Sequence, residues 1–294
     1  MSLRNGHARW AFDLSTWRPS LNELLLATSC IQTEEKTRLA KFMFREDFDG
    51  SIIGRLLMRK FVRDTINIPY EEIRFDRDAR GKPLLAPSQH HPSSHYVDFN
   101  VSHQGSYAVL AGCCLSSDHR KSQELSTTIG VDVMKIEYTG GKPLSEFFRI
   151  MHRNFTASEW KCIRNNSDEL GQTKAFMRHW CLKESYVKNV GVGISMDLQK
   201  IDFTLNTKTL SSNQVVTDTT VKVNGDLLEN WIFEESLIDN EHSVAVAIEN
   251  HNDSKDSHTF QLVTFDDLTR DSVPLLDNDR QYCLDVLNKP YKNS

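Results

Sequence analysis

No run of this 294-residue sequence approaches the roughly 18 uninterrupted apolar residues that a bilayer span needs, and the opening MSLRNGHARW lacks the apolar core of a secretory signal. No membrane association and a cytoplasmic location are the expectation. Cysteine is sparse: Cys30, Cys113, Cys114, Cys162, Cys181 and Cys283 form no CxxC pair, which speaks against a disulfide framework or a cysteine zinc site and leaves packing thiols. With 13 Gly and 8 Pro, the chain is neither collagenous nor of the low-complexity disordered kind. A basic excess is missing too. Asp and Glu number 40 against 35 Lys and Arg, a net charge of −5, and basic and aromatic residues do not interleave, so a nucleic-acid partner is not expected. There is no GxSxG elbow, and the neighbours Ser102 and His103 would point to opposite faces of a strand, which removes a hydrolase triad. His90, His91 and His95 lack zinc-ligand spacing and read as polar loop composition. What remains is a globular chain long enough for about two domains, with a core that needs no staples.

Apolar positions at helical spacing predict helix from about Ser20 to Phe44, Thr33 being suited to cap a second segment that carries Glu34, Glu35 and Lys36. Another helix is expected between Gly50 and Asn67, closed by Ile68-Pro69. Ala86 to His95 reads as a surface loop; Tyr96 to Ser102 and Tyr107 to Ala111, either side of Gln104-Gly105, carry a hairpin signature. A polar insert from Ser116 to Thr128 precedes the strand-like Ile129 to Ile136. Helical signals return at Leu144 to His152, Ser158 to Arg164 and Gln172 to Val190, the last stopping at Gly191. Strand-like runs follow at Val221 to Val223, Trp231 to Glu234 and Val244 to Ile248, with Asn224-Gly225 as a turn. The sum is a mixed α+β chain with an N-terminal subdomain over 1–125, a C-terminal one over 126–250, and a tail over 251–294 that is weakly ordered or packed on the surface.

The chemistry concentrates in HWCLKESYVK, residues 179–188. Phe176, Trp180, Glu184 and Val187 share one helical face, which sets a carboxylate in an apolar stripe, and Lys188 follows Glu184 by four residues. Alone, such a pair reads as an exposed helical ion pair. A second acidic residue in apolar surroundings, Asp132 in the strand Gly130-Val131-Asp132-Val133-Met134, tilts the balance. Two carboxylates so placed suit a hard divalent ion such as Mg²⁺, which takes few protein oxygens and completes its shell with water and phosphate. Arg77-Asp78-Ala79-Arg80-Gly81-Lys82-Pro83 surrounds a glycine turn with cations that suit an anionic ligand, though alone it reads as a charged surface turn. Asn100-Val101-Ser102-His103 puts polar side chains at the end of a strand.

Taken in order, Arg-Gly-Lys-Pro, Asn-Val-Ser-His, Gly-Val-Asp and Trp-Cys-Leu-Lys-Glu-Ser-Tyr-Val-Lys resemble the phosphopantetheinyl transferase superfamily of the large two-subdomain kind. Arg9-Trp10-Ala11-Phe12, the Gln32 to Arg38 segment and Phe233-Glu234-Glu235-Ser236 extend the likeness over about residues 9–250. The resemblance implies two similar, pseudo-symmetric subdomains with the ligand cleft between them. It implies a monomeric, cytoplasmic enzyme that moves the 4′-phosphopantetheine arm of coenzyme A to a serine of carrier protein domains, such as those of fatty acid synthase or an aminoadipate-type reductase. It also implies Mg²⁺ on Asp132 and Glu184, with Glu184 orienting or deprotonating the serine, Lys188 facing the phosphates, and Lys183 and Ser185 assisting. Arg38, Arg77, Asp78, Ala79, Arg80, Gly81 and Lys82 would grip the nucleotide; Asn100, Val101, Ser102 and His103 would line it, with His103 on a phosphate. Many bacterial relatives carry an acidic residue two places beyond the strand Asp, where this chain has Met134, a poor magnesium ligand, so water takes that position. The alternative is a non-catalytic coenzyme A or carrier-domain binding protein of the same fold, against which the intact Asp132, Glu184 and Lys188 argue.

Overall fold

The structure, a computed structural model, describes residues 6–87, 95–116, 128–191, 193, 196–249 and 257–292. In chain order its elements are β1 (His7–Asp13), α1 (Leu21–Ser29), α2 (Thr33–Ala40), α3 (Arg45–Ile66), β2 (Phe75–Arg77), β3 (Pro83–Leu85), β4 (His95–Gln104), β5 (Tyr107–Ser116), β6 (Thr128–Lys135), α4 (Leu144–Ile150), α5 (Ala157–Arg164), α6 (Glu169–Val190), β7 (Ile201–Thr204), β8 (Thr220–Val223), β9 (Asp226–Leu227), β10 (Trp231–Leu237), β11 (His242–Glu249), β12 (Gln261–Leu262), α7 (Phe265–Thr269) and α8 (Arg280–Leu287). The class is α+β, and the chain divides into two compact units, residues 1–121 with 260–294 and residues 122–259.

The first unit is built on the sheet β12-β1-β5-β4, antiparallel except for β12 beside β1, with α3 lying across β4 and β5. α3 carries two glycines, each costing about 1 kcal/mol of helix propensity, and packing offsets them: Phe48, Ile52, Ile53, Leu56, Leu57, Phe61 and Val62 are all buried. Its last turn closes on Asn67, left-handed at φ 51°, just before Ile68-Pro69. The helical signal from Ser20 to Phe44 is two helices, in keeping with a second segment near Thr33. Ser20 and Glu23 form a capping box on α1, whereas α2 starts after Gln32, and Thr33 is its first residue rather than its cap. Gln32 instead brackets β2, donating to Phe75 O at 2.8 Å and accepting from Phe75 N at 2.9 Å.

The second unit holds the antiparallel sheet β10-β11-β6, crossed by α6, and a smaller sheet β7-β8-β9. α5 begins on a Thr156–Glu159 capping box, and α6 runs from its Asp168 cap to Gly191 at φ 67°.

The end of the chain departs from its expected place on the surface. β12 pairs with β1, Val263, Leu268, Cys283 and Val286 are buried in the first unit's core, and Phe265 stacks on Trp17 at 5.3 Å. Lys289 donates to Ala40 O and Phe42 O, which satisfies carbonyls at the end of α2. Val263 and Leu268 follow no period, whereas Cys283, Val286 and Leu287 recur at helical spacing over a single short helix, a signal the sequence reading passed over. Of the loop expected from Ala86 to His95, residues 88–94 with His90 and His91 lie outside the described residues, and His95 opens β4; of the insert expected from Ser116 to Thr128, residues 117–127 lie outside them. No helix among the described residues is long and apolar enough to cross a membrane.

Candidate functional site

In the second unit, β6 and α6 approach backbone to backbone. A Cβ on Gly130 would stand on the Ser185 carbonyl oxygen and 2.5 Å from the Asn189 amide nitrogen, so glycine is what this contact requires. The same approach places the Cys181 thiol 3.0 Å from Asp132 O, while Asn189 Nδ2 donates to Thr128 O and Ala247 O, bridging β6 and β11. Asp132, two residues along β6 from Gly130 and 5% exposed, therefore faces α6. Lys188 Nζ donates to Asp132 Oδ1 at 2.6 Å and to Val131 O at 3.3 Å. Glu184 lies one turn before Lys188 on α6, half-buried. Its carboxyl is pushed above the usual range by burial and by the Asp132 charge, with Lys188 opposing. The structure thus brings Asp132, Glu184 and Lys188 to one place.

The other two expected helpers on this helix turn away. Lys183 is fully buried and pairs with Glu159 at 2.9 Å, donating also to Leu198 O at 2.7 Å and Ile201 O at 2.6 Å; every ammonium hydrogen is spent on the core. Burial pulls its pKa down while Glu159 opposes. Ser185, also fully buried, donates back to Leu182 O at 2.8 Å, so its hydroxyl serves its own helix. Both side chains are turned into the core. Met134 lies on the Asp132 face of β6 but packs among apolar side chains. Among the described residues no group of three or more His, Cys, Asp and Glu converges as a metal site.

In the first unit, Arg77-to-Pro83 is the turn between β2 and β3. Asp78 organises it, accepting at Oδ1 from Arg80 N at 2.9 Å and Lys82 N at 2.8 Å, which leaves its carboxylate a turn-former rather than a ligand contact. Gly81 takes φ 92°, and its carbonyl accepts from Arg77 Nη1 at 2.7 Å. Ala79 and Arg80 are exposed. Lys82 pairs with Asp98 at 3.2 Å, tying the turn to the strand that carries Asn100 and Ser102 on the same face. Val101 points the other way, into the core at Gly54 of α3. His103 lies over Gly50 with Nε2 3.2 Å from Ser51 Oγ. Arg38 is exposed on α2.

Two residues that the sequence reading passed over join these motifs. Buried Glu35 accepts from Arg77 Nη2 at 2.8 Å and from Arg55 Nε at 2.5 Å, and Arg55 Nη1 reaches Ser51 O at 3.2 Å, so a continuous chain runs from the glycine turn to His103. Burial pushes the Glu35 carboxyl up, and Arg55 and Arg77 together outweigh it, leaving it below the usual carboxylate range. One signal was available: Glu35 precedes the buried Leu39 by four residues and so shares its inward face.

Comparison with known proteins gives the family. Residues 15–115 match the family model described as 4′-phosphopantetheinyl transferase, N-terminal, and residues 128–248 that of the 4′-phosphopantetheinyl transferase superfamily. Over 97% of the chain and 93% of the relative, it is 39% identical to L-aminoadipate-semialdehyde dehydrogenase-phosphopantetheinyl transferase of Xenopus laevis. The chain belongs to the 4′-phosphopantetheinyl transferase superfamily. This transferase is also 40% identical to the human protein of the same name, over 93% of the chain and 89% of that protein. With 4′-phosphopantetheinyl transferase Sfp of Bacillus subtilis it shares 28% identity over 60% of the chain and 68% of that protein. As a member of the superfamily it transfers phosphopantetheine to carrier proteins.

Proposed function

We propose that Asp132 and Glu184 hold Mg²⁺ while this transferase passes the 4′-phosphopantetheine arm of coenzyme A to a carrier serine and releases adenosine 3′,5′-bisphosphate. The observation that carries the reading is the meeting of two carboxylates and one ammonium on the facing sides of β6 and α6. Two carboxylates are hard oxygen donors and leave most of an octahedral shell to water and phosphate, which fits magnesium. When bound, the ion would neutralise charge on the diphosphate.

The chain's own residues do the rest. Glu184 takes or orients the serine proton, directly or through water, as the serine oxygen bonds to the pantetheine phosphorus. The bond from that phosphorus to the bridging oxygen breaks, and Lys188 stabilises the charge left on the departing nucleotide phosphate. In the first unit, Arg38, Arg77, Arg80 and His103 take the phosphorylated nucleotide end, and Asn100 and Ser102, on the other face of β4, line coenzyme A elsewhere. Lys82 joins them by leaving Asp98. Carrier domains of the aminoadipate-reductase or fatty acid synthase type are the acceptors, a choice supported for the former by the name of the Xenopus laevis relative. The enzyme works as a monomer in the cytosol, a reading supported by six free cysteines and by the origin of Asp132, Glu184 and Lys188 in one chain.

The test is mass spectrometry of an apo carrier domain incubated with the enzyme and coenzyme A. One phosphopantetheine is gained with Mg²⁺ present, and none after chelation; transfer that persists after chelation rejects the metal role. A smaller effect follows from the turn. Asp78→Ala frees the backbone of residues 80–82 and raises KM for coenzyme A a few-fold with kcat unchanged, whereas Asp78→Asn, which keeps the acceptor, stays closer to wild type in steady-state assays.

A further inference from the structure

Glu35 uses both oxygens on two guanidinium groups. Oε1 accepts from Arg77 Nη2 at 2.8 Å and Nε at 3.3 Å; Oε2 accepts from Arg55 Nε at 2.5 Å and Arg77 Nη2 at 3.1 Å. Each guanidinium is pinned at a second edge, Arg77 by Gly81 O and Arg55 by Ser51 O. Arg38, three residues after Glu35 on α2, is near enough for its charge to act on Arg55. Two cations thus hold one carboxylate and a third lies near Arg55, so the cluster is short of negative charge. Burial pulls the Arg55 guanidinium below its ordinary value despite Glu35, and the Arg77 and Arg38 charges add to that pull. The Arg55 and Arg77 side chains keep 12% and 20% of their surface exposed, and Arg55 Nη2 makes no hydrogen bond among the described residues. A phosphate arriving there meets preset N–H donors at little ordering cost.

We propose that Glu35 is a positioning residue and Arg55 a further phosphate-binding residue of the donor site: Glu35 clamps Arg55 and Arg77 side by side so that both donate to one phosphate monoester of the donor. This rests on the reading that the first unit takes the nucleotide end of coenzyme A, whose ribose 3′-phosphate is such a group.

The sign of the effect separates positioning from charge. Removing a carboxylate from a cationic cluster tightens anion binding if charge alone matters, and loosens it if the carboxylate sets the geometry. Steady-state transfer is measured with coenzyme A and with 3′-dephospho-coenzyme A for the wild type, Glu35→Gln, Glu35→Asp, Arg55→Lys and Arg77→Ala. Glu35→Gln raises KM for coenzyme A about tenfold, the loss of one charge-assisted hydrogen bond, with kcat little changed and KM for the dephospho donor unmoved. Glu35→Asp recovers part of the loss. Arg55→Lys keeps the charge but not the fork, raises the same KM, and carries the test if Glu35→Gln does not fold. A lower or unchanged KM for coenzyme A in Glu35→Gln, or an equal rise for both donors, overturns the proposal. If Arg77→Ala erases the preference for the phosphorylated donor while Glu35→Gln and Arg55→Lys keep it, the proposal alone fails. If Arg77→Ala keeps that preference, the donor-end reading fails, and the proposal with it.

Discussion

Glu184→Gln abolishes transfer, lowering kcat by roughly 10²–10⁴-fold if only its acid–base role is lost and further if Mg²⁺ goes with it, and it does so without harming the fold. The stability half of this expectation follows from the sign of the pKa shift. In the folded chain the Glu184 carboxyl holds its proton more tightly than in the unfolded chain, because burial and then Asp132 disfavour the anion and Lys188 compensates in part. Ionisation of Glu184 therefore costs folding free energy once the pH exceeds the folded pKa, and that cost fades below the unfolded value, where both states are protonated. Glutamine keeps the shape and drops the charge. In metal-free buffer at neutral pH the variant melts at or above the wild-type temperature, and the difference closes as the pH falls. Thermal melts over pH and a transfer assay check both halves. A variant that transfers at near-normal rate removes Glu184 from the chemistry, and one that melts far lower shows that the ion supports the fold rather than burdening it.

The residues at this centre were legible in the sequence because each breaks a local rule. Asp132 interrupts an apolar strand, and Glu184 sits in the stripe of Phe176, Trp180 and Val187; a charge in apolar company at a regular period shows without coordinates. α6 and its stop at Gly191 were legible for the same reason. Depth was not. The four-residue spacing set Lys188 on the Glu184 face, but that the neighbouring Lys183 is wholly buried and pairs with Glu159 depends on where α5 and β7 pack. Glu35 looked like a first-turn acid of an exposed helix, since its partners lie 20 and 42 residues away. The end of the chain was misjudged because β12 is two residues long and draws its order from β1, at the far end of the sequence.

Gly130→Ala disables the enzyme from a position with no side chain. The added Cβ meets backbone atoms of α6, the Ser185 carbonyl and the Asn189 amide nitrogen and Cα, so no rotamer change relieves it; strand and helix must separate. Overpacking of this kind costs about 1–3 kcal/mol, and the rigidity of both partners argues for the upper end. Activity falls further than stability. The Lys188–Asp132 contact at 2.6 Å and the closeness of Asp132 to Glu184 both depend on how near α6 lies to β6, and a displacement of about 1 Å at reacting groups costs roughly 10²-fold in rate. Gly54→Ala in α3 is the control. There the new Cβ finds Val101 Cγ2 at 4.0 Å, an ordinary contact, and alanine in place of glycine gains about 1 kcal/mol of helix propensity. Denaturant unfolding and carrier modification on the two variants give opposite results, a loss of both stability and rate for Gly130→Ala and unchanged or higher stability with full rate for Gly54→Ala. Wild-type behaviour of Gly130→Ala would mean that α6 and β6 tolerate separation, and close backbone contact would no longer explain how Asp132 and Lys188 meet.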